Sequence, residues 1–227
     1  MRRLTLCLLF LICATIPAIA QKDSTKPKLP EPADSHQLRF SFDISRPILN
    51  LAKPDQYSYE FMVDYYWRRE LYAVLEGGWG GSNYNYPDLS YTSSNPFVRI
   101  GIEKTLVKRL TGNDWDQVFL GARYGFGPVT RSEATYVTTD SVWGSTSGTV
   151  AAKNTTAHWA EIVSGVRVEL FPGFMTGWNA RVRFLLNDRA FDDLSPAFIA
   201  GYGRGDKTVV FDLNFYVCYA LRWKREE

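Results

Sequence analysis

Histidine appears twice and cysteine three times among the 227 residues. That scarcity excludes a His/Cys metal centre and a disulfide scaffold, and no metal or cofactor is expected. Neither charge sign dominates: 26 Lys+Arg stand against 24 Asp+Glu, a formal net charge of +2. The broad basic footprint of a nucleic-acid binder is therefore missing, and no nucleic-acid partner is expected. No apolar run is as long as the roughly 20 residues a membrane-crossing helix needs, and no window carries a clear helical period. What the chain has in quantity is aromatic side chains, 15% of all residues, within a 45% hydrophobic composition. Such a chain buries or partitions a large apolar surface and is not a disordered segment.

The first twenty residues read as an address. Met1-Arg2-Arg3 is basic, Leu4 to Ile16 is apolar, and Pro17-Ala18-Ile19-Ala20 supplies small residues before a cleavage point. This is the pattern of a secretory signal peptide cut after Ala20. Arg2, Arg3, Cys7 and Cys13 leave with it, so the mature chain is formally neutral and keeps only Cys218. One cysteine forms no internal disulfide, and Cys218 reads as a small strand residue. Residues 21–37 carry three prolines, many charges and a single leucine. They read as an extended, solvated linker.

From Leu38 to Trp223 the pattern has period two, the strand period. Eight segments show it. Leu38, Phe40, Phe42 and Ile44 alternate with Arg39, Ser41 and Asp43, and the second segment sets Tyr57 to Trp67 against Ser58, Glu60, Met62, Asp64, Tyr66 and Arg68. The last sets Val209, Phe211, Leu213, Phe215, Val217, Tyr219, Leu221 and Trp223 against Val210, Asp212, Asn214, Tyr216, Cys218, Ala220 and Arg222. Connections alternate between short turns, near 68–70, 109–117 and 171–173, and long segments at 45–56, 81–94, 130–156 and 187–206. Long loops then gather at one end, with short turns and both termini at the other. The expected fold is all-β, an eight-stranded antiparallel up-and-down barrel over 38–223, followed by a charged tail, 224–227.

The two faces decide which side meets lipid. One carries Arg39, Arg68, Arg99, Arg123, Arg167, Arg181, Arg183 and Arg222, together with Asp43, Glu60, Asp64, Glu76, Glu103, Glu161, Glu169 and Asp212. Matched arginines and carboxylates fit an enclosed network, since buried charge is tolerated only when paired. The other face is aliphatic between two groups of aromatics, Tyr57, Tyr59, Trp79, Tyr124 and Phe126 toward the long loops and Trp67, Trp178, Tyr219 and Trp223 toward the short turns. Two aromatic belts around an aliphatic band suit a bilayer with two interfaces. The expectation is a transmembrane barrel with a polar, side-chain-filled interior, lipid being its first partner.

With its signal peptide, eight period-two strands and aromatic-rich last strand, the chain resembles small bacterial outer-membrane β-barrels. The segments Phe42-Asp43-Ile44-Ser45-Arg46-Pro47-Ile48 and Val74-Leu75-Glu76-Gly77-Gly78-Trp79-Gly80 resemble a family of such barrels known only as a domain of unknown function. The resemblance implies placement in the bacterial outer membrane. One departure is the charged Lys224-Arg225-Glu226-Glu227 after Trp223, where such barrels usually end on the aromatic.

The task of the barrel is less legible. Gly201-Tyr202-Gly203-Arg204-Gly205 echoes a phosphate loop, but no helix follows it. Asn113, Asp114 and Asp116 read as turn residues. Eight strands leave interior room only for side chains, so the first expectation is a non-enzymatic structural or interaction barrel, such as an accessory subunit of an envelope complex. A narrow channel or transporter is the second. The third is a rim enzyme acting on lipid or peptide through His158, which lies near the start of the sixth segment with Thr155, Thr156 and Glu161 nearby in sequence. A loop contact is also expected at 45–54, where Ile48, Leu49 and Leu51 stand between two prolines. This loop either caps the barrel mouth over Phe97 or Phe119, or docks a partner protein or the outer leaflet.

Overall fold

The computed structural model describes residues 36–107, 109, 111, 113–140 and 144–224. The cleavage site at Ala20, the linker up to residue 35 and residues 225–227 lie outside them. Strands β1 (His36–Asp43), β2 (Gln56–Arg68), β3 (Leu71–Asn85), β4 (Leu89–Thr105) and β5 (Gln117–Arg131) follow one another in the chain. They are succeeded by β6 (Ala134–Asp140), β7 (Gly144–Val150), β8 (Lys153–Phe171), β9 (Phe174–Leu185) and β10 (Val209–Trp223). Neighbours pair antiparallel in the order β1-β2-β3-β4-β5-β8-β9-β10, and β10 returns to β1, with His36 opposite Trp223. The ring is a closed eight-stranded barrel, with β6 and β7 a hairpin added outside it, attached where Leu89 meets Tyr136.

The alternation places side chains as the pleat requires. Along β5, the residues facing in (Phe119, Arg123) are buried and those facing out (Leu120, Tyr124, Phe126) are exposed. The outward apolar residues form a band carried from strand to strand by register. Val63 stands opposite Leu75, Leu75 opposite Ile100, Ile100 opposite Tyr124, Tyr124 opposite Ala160, Ala160 opposite Phe184, and Phe184 opposite Val209. Within that band Ile100 is 57% exposed and Phe211 70%.

Several connections differ from their sequence reading. The first strand starts two residues earlier than expected, because His36 stacks with Tyr65 and Trp223 at the seam. Segment 45–54 is no loop: it holds helix α1 (Ser45–Ala52). The Asp43 carboxylate accepts the Ser45 amide just before its first turn, at 2.9 Å. Pro47 falls within that first turn, where a backbone N–H has no intrahelical acceptor to lose. Segment 81–94 is largely β3 and β4 running on past the barrel, in register to Asn85 opposite Ser90. The β2–β3 turn puts Arg69 and Glu70 at φ 51° and 62°, the primed-turn geometry usually left to Asn and Gly. Arg109 holds this turn through the Glu70 carboxylate at 2.7 Å.

Candidate functional site

The interior is built in three layers. At the short-turn end Tyr66, Tyr72, Trp115, Met175, Tyr216, Cys218 and Ala220 form an apolar floor. Trp115 comes from the β4–β5 connection and turns inward, with Arg109 and Arg222 over its ring at 4.0 and 4.8 Å. At the long-loop end Phe97, Val129, Ala157, Trp159 and Leu185 meet Phe191, Ile199, Ala200 and Tyr202 from segment 187–206. That segment folds down into the barrel mouth as a lid. Burial pushes the Tyr202 phenol up to about 12. The period-two pattern gives no hint of this lid. The usable signal is Gly80 on the inward face of β3, where an added Cβ would lie 2.9 Å from Ala200 Cβ. Glycine there leaves room for a second piece of backbone.

Between floor and lid lies the charge network. Arg39 donates to Asp64 at 2.5 Å and to Gln117 at 2.7 Å, with its guanidinium 4.1 Å from the Tyr72 ring centroid. Arg167 shares Gln117 at 2.8 Å and faces Glu103 at 3.5 Å. Arg123 joins Glu76 to Glu103. Arg99 reaches Glu60, Glu76 at 2.6 Å and Glu161 at 3.1 Å. Arg181 meets Glu76 at 2.9 Å, and Arg183 meets Glu161 at 3.2 Å and Asp212 at 2.9 Å. Asp43 accepts from Asn214.

The expected network loses one arginine, gains another and has one outlying pair. Arg68 is exposed and outside the network: the register shifts between Tyr66 and Arg68, so the alternation breaks and Arg68 pairs with Leu71 at the rim. A bulge reverses the facing of the residues beyond it. Its place inside is taken by Arg46 of α1, which ion-pairs with Glu60 at 2.8 Å and with Asp212. Burial alone disfavours the Arg46 cation, but Glu60, Asp212 and Asp43 outweigh it and hold its pKa above the ordinary value. Arg222 and Glu169 form a pair of their own, 2.7 Å apart and partly exposed at the floor. The central network thus sets Arg39, Arg46, Arg99, Arg123, Arg167, Arg181 and Arg183 against Asp43, Glu60, Asp64, Glu76, Glu103, Glu161 and Asp212, and its formal charges balance. A cavity among these groups, lined by Asp43, Glu60, Glu76 and Arg181, holds about 10 Å³, room for about one water.

The remaining candidates separate. The 45–54 segment does not cap Phe97, whose ring is met instead by Gly201 of the lid, nor Phe119, which lies under the Arg167 guanidinium. Ile48 and Leu51 of α1 are 62% and 87% exposed, and Leu49 is exposed too. His158 points outward from β8, its Nδ1 2.8 Å from the Tyr124 hydroxyl and its ring stacked on Phe126. Glu161 faces the opposite way, inward, where it accepts the Trp159 indole N–H at 2.7 Å. Among the described residues no group of three or more His, Cys, Asp and Glu is placed to hold a metal ion.

These features define a class: a closed eight-stranded barrel with a paired-charge interior and an apolar exterior. The chain belongs to the family described as Domain of unknown function (DUF6048), whose model matches residues 1–225. Two solved structures are similar to it. The N-terminal β-barrel domain of Pseudomonas aeruginosa OprF shares 9% identity at a TM-score of 0.37, covering 83% of this chain and 98% of that one. Neisserial surface protein A (NspA) shares 9% identity at a TM-score of 0.40, covering 83% and 96%. No curated protein matches the sequence.

Proposed function

We propose that the protein is a bacterial outer-membrane barrel, exported by its signal peptide, that works as a non-enzymatic structural or interaction protein. The observation that carries this reading is the pairing of a continuous apolar outer band with a charge-balanced, side-chain-filled interior. Water on the outside would leave far more contiguous apolar surface than a soluble monomer exposes. Lipid there removes the penalty, and over the height at which the ring is closed the strand ladder satisfies the backbone groups that lipid cannot. The unboiled protein is expected to run differently from the boiled protein on a denaturing gel. Recovery of the mature chain in the soluble periplasmic fraction would sink the membrane reading.

The filled interior supports a structural role over a channel. Floor, ion network and lid lie in series along the axis, an arrangement that favours a barrel that does not conduct. In planar bilayers the purified protein is expected to give no single-channel steps; reproducible steps would favour the transporter. Contacts with an envelope protein partner fall to the long-loop end, where α1 exposes Ile48 and Leu51. Changing both to serine is expected to remove a co-purifying protein in a mild-detergent pull-down, with the boiled-gel shift unchanged. The same partner set from wild type and variant would remove α1 as the contact.

A further inference from the structure

The strand ring closes over only part of its height. On its β1 side, β10 pairs from Tyr216 to Trp223 and adds one bond, Ile44 N–H to Phe215 O at 2.9 Å. On its β1 side, β2 pairs only from Phe61 to Tyr65. Residues 56–60 of β2 and 209–214 of β10 therefore have no strand between them among the described residues. Side chains cap parts of the open edges. Asn50 of α1 bonds both backbone groups of Ser58, at 3.0 and 3.3 Å, and Asp212 accepts the Leu213 amide at 3.0 Å. The wall has a side opening, with α1 lying across it.

A cleft of about 230 Å³ occupies this opening, lined from exposed Tyr57 and Phe211 on the outer wall to Arg46 and Arg183 of the ion network. Apolar and basic groups share its lining. Leu49, Tyr57 and Phe211 stand at the mouth, all more than 40% exposed. Lys53 and Arg204 flank them, while Arg46 and Arg183 lie at the base. Asp212 is the single acidic residue of the lining, and Arg46 and Arg183 both pair with it. Arg204 is matched by Asp206 at 2.7 Å. Lys53 has no ion pair among the described residues, and Arg183 Nη2 is buried without a hydrogen-bond partner. Arg46 and Arg183 are matched by Asp212, Glu60 and Glu161, so the uncompensated charge in the cleft is that of Lys53, with Arg183 Nη2 an unused donor at the base and apolar side chains at the mouth.

We propose that this cleft binds an anionic membrane lipid, entering sideways from the surrounding leaflet. The headgroup phosphate sits between Lys53 and the guanidinium donors, and the first acyl methylenes lie on Leu49, Tyr57 and Phe211. Guanidinium and phosphate match in geometry as well as charge. The volume lies below the range that encloses a whole drug-sized ligand, so the rest of the lipid stays in the bilayer. The proposal rests on the outer-membrane reading above.

The test uses the full mature chain, refolded in a neutral detergent and measured by native mass spectrometry. It is supplied with dioleoyl phosphatidylglycerol or with dioleoyl phosphatidylcholine. One phosphatidylglycerol is expected to be retained about tenfold better than phosphatidylcholine, the scale of one added charge-assisted contact. Lys53→Glu combined with Arg204→Glu should cut that retention by about tenfold or more. Equal retention of the two lipids by the wild-type chain overturns the proposal, as does indifference to the double reversal in protein that keeps its boiled-gel shift. If excess inorganic phosphate displaces the lipid completely, the cleft is a free-anion site and the lipid assignment falls. A barrel that shows the gel shift yet discriminates neither lipid fails this inference alone and leaves the membrane reading standing.

Discussion

Replacing Arg123 by glutamate is expected to destabilise the refolded barrel by about 3–5 kcal/mol, the range for breaking a buried ion pair from one side. Arg123 sits fully inside, joining Glu76 to Glu103. The substituted carboxylate would face two others in a space with room for hardly any water, so three like charges would share one cross-section of the barrel. Neither neighbour has a spare cation to take up the excess: Glu76 is already shared by Arg99 and Arg181, and Glu103 by Arg167. The control is Lys153→Glu at the start of β8, where the pair with Asp193 is more than a third exposed on both sides. Water screens such a pair, and the change should cost less than about 0.5 kcal/mol. Urea titration in lipid vesicles reads both. Equal midpoints would mean that the interior is wet, or that the faces are the other way round.

Trp159→Ala is expected to cost about 3–5 kcal/mol, the range for emptying a large aromatic site in a core. Trp159 is fully buried and connects two layers of the interior. Its ring meets Phe97 of β4 and Tyr202 of the lid, with centroids 6.3 and 6.0 Å away. Its indole N–H donates to Glu161, which holds Arg99 and Arg183. Truncation therefore opens a cavity under segment 187–206 and removes a donor from a buried carboxylate. Proteolysis from the long-loop side should then cut within 192–207 in folded protein, where the wild type resists. Trp178 is the comparison. It faces outward at 42% exposure, and its loss trades a ring for lipid without opening a cavity. If Trp178→Ala lowers the urea midpoint as much as Trp159→Ala does, the lid contributes nothing to stability.

Much of the architecture is legible in the order of residues because a strand wall has a strict period of two. Once Arg123 faces in, Tyr124 must face out, and the same rule runs through all eight segments. The alternation of short and long connections then orders the strands as an up-and-down ring. The rule fails where one extra residue enters. At Trp67 the register slips, and Arg68 moves from the network to the surface. The rule is also silent in the connections, which carry no period. Arg46 is hidden for that reason: it belongs to an eight-residue helix rather than a strand, and only the fold brings it 2.8 Å from Glu60.

By itself, the sequence determined the fold class, the inward and outward faces, and the need for balanced charge within the barrel. All three follow from local periodicity and from the cost of unpaired buried charge. Only the tertiary structure decided which arginine meets which carboxylate, that segment 187–206 packs inward as a lid and Trp115 as part of a floor, and that α1 crosses an opening between β2 and β10. Those arrangements join residues far apart in the chain, such as Arg46 and Asp212, 166 positions apart, at the edge of the opening. No local pattern records them, because they depend on where the strand ring closes and where β1 stops short.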